Sequence, residues 1–472
     1  MSLSTVLGRL VLPVVLGAAA IAAWLVADRM GDLSVEAAVA PAPETLATPM
    51  TSVRRLPSIA EIPLNEQRRE LAVAPLGSVE GTRSCVVVMV DGEVVHDIRG
   101  DLPVLPGVAQ LLQTSYTAVE ILGPNYMFET AVLAEERPDD NGRVTGNLYL
   151  IGGGDPVLMT RDHQLTFDEV QPRTRFEDLA RGLMAIGVTS VSGGVIGVER
   201  RFDTQRVLPG WPASYLDQGE VGPLSALQVN DGYVDRQPED GSAPVVAEDP
   251  AAAAAVELDD LLEAGEVQIN ALARSIAEDE ELAGLVTLSR VQSRPLTEIL
   301  AQVIEFSDAG AAELILKEVG LEFRRAGSTR SGGEAVETEL DALGVELGVT
   351  PRDASGIDPV ATSSCHTLAQ TIGAIPLDHP VMGLLPSYDD RAVFDGGLAA
   401  VELDADVRVV AGSVGETTSL VARTVDDGPS VVMVTLVNRV GGTRPRDVKV
   451  NRDLLQSVDG LQEAWQPVTM DG

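Results

Sequence analysis

Lysine is almost missing. Of 472 residues only Lys317 and Lys449 are lysines, and arginine supplies the rest of the 34 basic side chains. The scarcity excludes one chemistry outright. A serine activated by a lysine three residues later, S-x-x-K, would need serine at 314 or 446, and those positions are Leu314 and Arg446. Neither lysine begins a Lys-Thr-Gly triplet. An arginine-for-lysine bias is equally a trait of genome composition.

Positive charge is scarce overall: 71 acidic side chains give a formal net charge of −37. Such a chain does not bind nucleic acid without a local basic patch, and none stands out. The excess of carboxylates also suits a saline medium. Histidine occurs four times, as His96, His163, His366 and His379. His366 follows Cys365 directly, whereas a Cys-His catalytic pair normally comes from distant parts of a chain. The two cysteines, Cys85 and Cys365, are 280 positions apart; a disulfide and two small core residues both remain open. No His, Cys or Asp set has metal-ligand spacing. The one glycine cluster, Gly152-Gly153-Gly154-Asp155, lacks the following GK[ST] of a phosphate loop, so no cofactor is expected.

What is present begins with residues 10–27, uncharged and apolar, whose roughly 27 Å as a helix just crosses a bilayer core. Ala38-Val39-Ala40 is a poor cleavage site because Pro41 follows, so residues 1–30 read as an uncleaved signal-anchor rather than a signal peptide. Either way the body is exported. Residues 31–80, rich in Ala, Pro, Glu and Thr, read as a spacer. Its Arg54-Arg55 and Arg68-Arg69 pairs offer positive charge to anionic lipid or wall polymer, although a solvated linker explains them equally. Ser84 to Ile98 reads as two strands joined by an Asp91-Gly92 turn. In residues 104–124, Val108, Leu111, Leu112, Val119 and Leu122 form one stripe of a buried central helix. Pro106 precedes its first turn and Gly123-Pro124 ends it. Asp155-Pro156 read as an N-cap and a first helical residue. Two buried antiparallel strands are expected at 407–412 and 430–438, and a helix at 445–458.

Several blocks, in order, resemble the penicillin-binding protein 4 type of D-alanyl-D-alanine carboxypeptidase/endopeptidase (peptidase family S13). They are VLPGVAQLLQTSYTAVEILGPNYMFET at 104–130, GNLYLIGGGDPVL at 146–158, and the Trp211-Pro212 and Ser225-Ala226-Leu227 words. SRPLTEILAQVIEFSDAGAAELILKEVG at 293–320, RDASGIDPVATSSCHTL at 352–368 and the strand pair ending at Asn438 complete the set. The resemblance covers about residues 80–460. It implies an α/β serine β-lactamase/transpeptidase-like domain, an antiparallel sheet flanked by helices, with inserted, mostly β domains. The boundaries it suggests are 81–159 and 285–472 for the transpeptidase-like domain and 160–284 for the insert.

The resemblance also locates the family's catalytic positions, and their chemistry is absent. The nucleophilic serine falls on Val108 and its lysine on Leu111. The S-x-N motif falls on Ser307, Asp308 and Ala309, and Lys-Thr-Gly falls on Val410, Ala411 and Gly412. A serine needs an activating base, and an Asn amide donates and accepts at once; a methyl group does neither. Hydrocarbon at these points stabilises a cleft that is no longer used. The expectation is therefore a membrane-anchored relative, with its body on the extracytoplasmic side, that has lost catalysis. It would bind peptidoglycan stem peptides or a wall-synthesis protein. The alternatives are an active serine-type D,D-carboxypeptidase/endopeptidase, as family resemblance alone implies, and a purely structural envelope protein with a closed groove.

Overall fold

A computed structural model describes residues 56–74, 76, 83–167, 173–277, 280–347, 350–388, 403–414, 417–439 and 451–466. The apolar run at 10–27, Arg54-Arg55 and Lys449 lie outside the described residues. The chain divides into two compact units, Met1–Ile62 with Gly472, and Pro63–Asp471. Every strand belongs to the second unit. No described helix is long and apolar enough to cross a membrane.

In chain order the main elements are α1 (Leu56–Val73), β1 (Ser84–Val90), β2 (Glu93–Ile98), α2 (Gln110–Leu122), β3 (Glu129–Ala134), β4 (Leu148–Ile151), α3 (Glu177–Ala185) and β5 (Val195–Val198). Then come α4 (Pro250–Ala264), β6 (Arg274–Ser275), β7 (Val286–Gln292), α5 (Leu296–Phe306), α6 (Ala309–Arg324), α7 (Thr329–Ala342) and α8 (Cys365–Ala374). β8 (Val407–Val414), β9 (Thr417–Thr424), β10 (Val431–Asn438) and α9 (Val458–Trp465) close the chain.

The first sheet is antiparallel, in the order β8-β9-β10-β1-β2, so the N-terminal hairpin completes a sheet begun near the C-terminus. The hairpin turns as its sequence requires: Val90 pairs with Glu93, and Asp91 and Gly92 both take positive φ, 50° and 81°. That is the primed turn that matches strand twist, and Asp-Gly suits it. Successive β1 side chains face opposite cores, as a pleated strand requires. Cys85 and Val87 pack with the central helix, whereas Val86, Val88 and Val90 pack against Leu454, Leu455 and Leu461.

The central helix is α2, preceded by a 3-10 turn at Gly107–Ala109. Every residue from Gln110 to Val119 is buried, and α5, α6 and α8 contribute Leu300, Ile315 and Leu368 to the same core. Burying each Leu or Val there is worth about 1.5–3 kcal/mol relative to water. Two of its polar members are tied down: Thr114 Oγ1 donates to Ala354 O (2.7 Å) and Gln113 Nε2 to Thr371 Oγ1 (3.2 Å). Gly123, at φ 87°, ends the helix as expected.

A second five-stranded sheet, β6-β5-β4-β3-β7, is mixed: β6, β5 and β4 run parallel, while β3 and β7 pair antiparallel. α3 and α4 cover it through Leu179, Leu183, Ala254, Leu258 and Leu262. The sheet draws β3 and β4 from before, and β7 from after, the 160–284 stretch expected as the insert. The Ala251–Ala255 run, patternless in sequence, opens α4. Asp249 caps it by accepting from Ala252 N (3.0 Å), and Pro250 sits in its first turn.

Two local expectations change. No helix starts at Asp155: its carboxylate accepts from Val157 N (3.0 Å) in a turn that leads into a short strand, Leu158–Met159. Within the expected spacer, Leu56–Val73 is helical, and its Arg68-Arg69 pair is used internally. Arg68 Nη2 donates to Glu463 O (2.6 Å), and the Arg69 guanidinium lies 4.8 Å from the Trp465 ring centroid. Residues 451–455 are helical, inside the 445–458 expected, and a turn separates them from α9; residues 445–450 lie outside the described residues. The cysteines are paired: Cys85–Cys365 is a disulfide tying β1 to α8.

Candidate active site

Three pieces of chain converge where the first sheet meets the helices. The first is the Gly107–Ala109 turn. Asn438, the last residue of β10, clamps the segment before it: its Oδ1 accepts from Leu105 N (2.6 Å), and its Nδ2 donates to Leu105 O and Thr417 Oγ1 (both 3.1 Å). Gly107 has φ 54°, and a Cβ there would come within 2.8 Å of Thr417 Cγ2, so only glycine fits. This geometry presents Val108 at the helix start and Leu111 one turn on; both are buried.

The second piece is the α5–α6 junction. Ser307 ends α5 in the left-handed region (φ 56°), and Asp308 caps α6 by accepting from Ala311 N (2.9 Å). Ala309 is thereby the first residue of α6 and is buried. The third piece is the Ser355-Gly356 turn, held by the buried Asp353. That carboxylate accepts from the backbone N–H groups of Gly356, Ile357 and Asp358 (2.8, 3.0 and 2.8 Å) and from Trp211 Nε1 (3.0 Å). Burial outweighs these donors and holds its pKa above the usual carboxylate range.

Val108, Leu111, Ser307 and Ala309 line one cavity, as the resemblance anticipated. The third motif arrives differently. Val410 joins the core that holds Val108 and Leu111, but Ala411 belongs to the opposite face with Val407 and Val409. Alternation puts Gly412 and Val414 on the site face, and Val414 lines the cavity. Sequence reading missed Val414. It also missed Ser355, Glu220 and Val221, which reach the same space from loops, and Tyr215, on the one-turn helix Ser214–Asp217.

What remains is a volume of about 30 Å³. Its polar groups include the hydroxyls of Ser307 and Ser355 and the carboxylate of Glu220. No hydrogen bond joins Glu220 to either serine, and the buried Ser355 Oγ has no partner among the described residues. No lysine or histidine lines it. Lys317 is elsewhere, its ammonium buried against Asp203. His163, His366 and His379 pair with Asp231, Asp97 and Glu120. Among the described residues no group of three or more His, Cys, Asp or Glu is arranged to hold a metal. The side chains of Val108 and Leu111, on which the resemblance places the family's serine and lysine, are hydrocarbon and face this cavity.

An antiparallel sheet backed by a buried helix, with a second, mixed sheet in the same unit, is the architecture of the serine β-lactamase/transpeptidase type of fold. The match with known proteins is consistent. The model of the D-Ala-D-Ala carboxypeptidase 3 (S13) family matches residues 71–257 and 232–386. A D-alanyl-D-alanine carboxypeptidase of Actinomadura sp. (strain R39) is 26% identical, over 75% of this chain and 77% of its own. A carboxypeptidase of Mycobacterium tuberculosis is also 26% identical, over 88% and 86%. The crystal structure of penicillin-binding protein 4 from Haemophilus influenzae superposes with a TM-score of 0.66 at 18% identity, covering 83% of this chain and 99% of that one. The chain belongs to the D-Ala-D-Ala carboxypeptidase 3 (S13) family.

Proposed function

We propose that this protein is a non-catalytic member of its family, acting by binding in the cell envelope. The observation that carries the reading is the filled cavity: Val108, Leu111, Ala309 and Val414 surround about 30 Å³ with no amine or imidazole on its wall. Acyl transfer needs a nucleophile with a base in hydrogen-bond reach, and a dipeptide terminus needs far more room. The fold is nonetheless fully built, which fits a protein kept for its surface. Its ligand is peptidoglycan or a wall-synthesis protein, engaged outside the closed cavity; one relative is named a D-alanyl-D-alanine carboxypeptidase and another a carboxypeptidase. The Cys85–Cys365 disulfide supports an exported body, and the apolar run at 10–27 supports a membrane anchor ahead of it. Exposure of the full chain to benzylpenicillin, read by intact mass, tests the loss of catalysis.

A further inference from the structure

Beside the closed cavity lies a second one of about 210 Å³, sharing Glu220, Val221 and Ser307 with it. Its character is the opposite. Asp231, Asp308, Glu220, Tyr233 and Arg236 bring charge and hydrogen-bonding groups to its wall.

Several of these groups are held in place and left unanswered. Asn230 and Asp231 are consecutive non-glycine residues at positive φ, 59° and 54°. Asn230 Oδ1 accepts from Thr160 N (2.8 Å) and Thr160 Oγ1 (3.1 Å), and Asp231 Oδ2 lies 3.0 Å from Nε2 of the buried His163. Tyr233 is only 5% exposed, and its hydroxyl is buried without a hydrogen-bond partner among the described residues. A buried polar group in that state costs about 1–3 kcal/mol, so a native cavity that keeps one has a use for it. Arg236 lays its guanidinium 4.2 Å from the Phe167 ring centroid and forms no ion pair with a described carboxylate. The aromatic face fixes its plane and leaves its N–H edge to meet a ligand.

The occupant follows from this mixture. An anion alone would face three carboxylates. An amine alone would leave Arg236 and Tyr233 unanswered. A metal ion would need a cluster of His, Cys, Asp or Glu ligands that the described residues do not provide. The volume lies below the roughly 300–1,000 Å³ of sites for drug-sized ligands, so the occupant is small. We propose that this cavity binds a free amino acid as its zwitterion, the carboxylate on Arg236 and the Tyr233 hydroxyl and the ammonium among Asp231, Glu220 and Asp308. Charge-assisted hydrogen bonds at both ends give the selectivity. Loss of solvent, together with Asp231 nearby, pushes the Asp308 carboxyl above the usual carboxylate range, and an ammonium between the two carboxylates relieves their repulsion. The proposal does not depend on whether the neighbouring cavity is catalytic.

The test is ligand-observed NMR titration of the purified full chain in mild detergent. The probes are D- and L-alanine and D- and L-glutamine, against ethylamine and propionate. At least one amino acid should bind saturably, with ethylamine and propionate at least tenfold weaker. Tyr233→Phe, which removes only an unpartnered hydroxyl, and Arg236→Gln should each weaken that binding at least fivefold while circular dichroism is unchanged. If Arg236→Gln fails to fold, Tyr233→Phe carries the test alone. No saturable binding by any probe overturns the proposal. So does ethylamine binding as tightly as the amino acids, or amino-acid binding that Tyr233→Phe leaves untouched.

Discussion

Lys317 buries its ammonium against the Asp203 carboxylate, with 1% of the lysine side chain exposed against 37% of the aspartate. One of the chain's two lysines is thus committed to holding α6 against the loop at 203, remote from any acylation chemistry. The unequal burial predicts unequal mutants. Removing Asp203 strands a buried charge, whereas removing Lys317 leaves a carboxylate that water reaches. Asp203→Ala should cost about 3 kcal/mol and Lys317→Met about 1 kcal/mol or less. Urea unfolding of the two variants checks the order; equal losses would contradict it.

Glu313, one turn before Lys317 on α6, accepts from Thr329 Oγ1 and from Ala354 N (2.9 Å) inside the core. Burial pushes its carboxyl up to about 7. Its folded pKa therefore lies above the unfolded value of about 4.3, and between the two the folded state binds the extra proton. Stability from this group is present at acidic pH and is lost as pH rises through 7. Glu313→Gln should gain stability relative to the parent as pH goes from 5 to 8, measured as the difference in unfolding midpoints. A difference independent of pH would show that the carboxyl is ordinary.

Leu111 stands where the family resemblance puts a lysine, and it is fully buried. Leu111→Ala should cost about 2–5 kcal/mol, as core truncations do. Leu111→Lys should cost more, because it buries an ammonium in an apolar core with only Glu220, on the cavity wall, to answer the charge. A lysine variant as stable as the parent would mean that the cavity opens readily to water.

Cys85 and Cys365 close a loop of 280 residues with their Cα atoms 5.9 Å apart. Reduction, or the double Cys→Ala variant, should lower stability by about 2–5 kcal/mol. Non-reducing peptide mapping should recover the two cysteine peptides joined.

Local chemistry made much of this legible. The Asp91-Gly92 turn, the stripe from Val108 to Leu122 and its Gly123 stop each carry their own geometry in a few residues. Ordered word matches located Val108, Leu111, Ser307 and Ala309, which the fold does bring together. What sequence missed depends on distant chain. Ala411 and Val414 differ only in which face of β8 they occupy, and pairing with β9 settles that, not the words around them. Glu220 reaches the cavity from a loop, and Tyr215 from a helix of a single turn, too short to show periodicity. A separation of 280 says nothing about whether two cysteines meet; that requires β1 and α8 to pack together first.

A chain that has lost its nucleophile, as proposed, cannot form an acyl-enzyme. The most direct measurement is the intact mass of the folded full chain after incubation with excess benzylpenicillin, beside an active family member as control. The filled cavity predicts an unchanged mass under conditions that fully acylate the control. An increase of one drug molecule, mapped to a single serine such as Ser307 or Ser355, would contradict it and make the protein an enzyme with a relocated nucleophile.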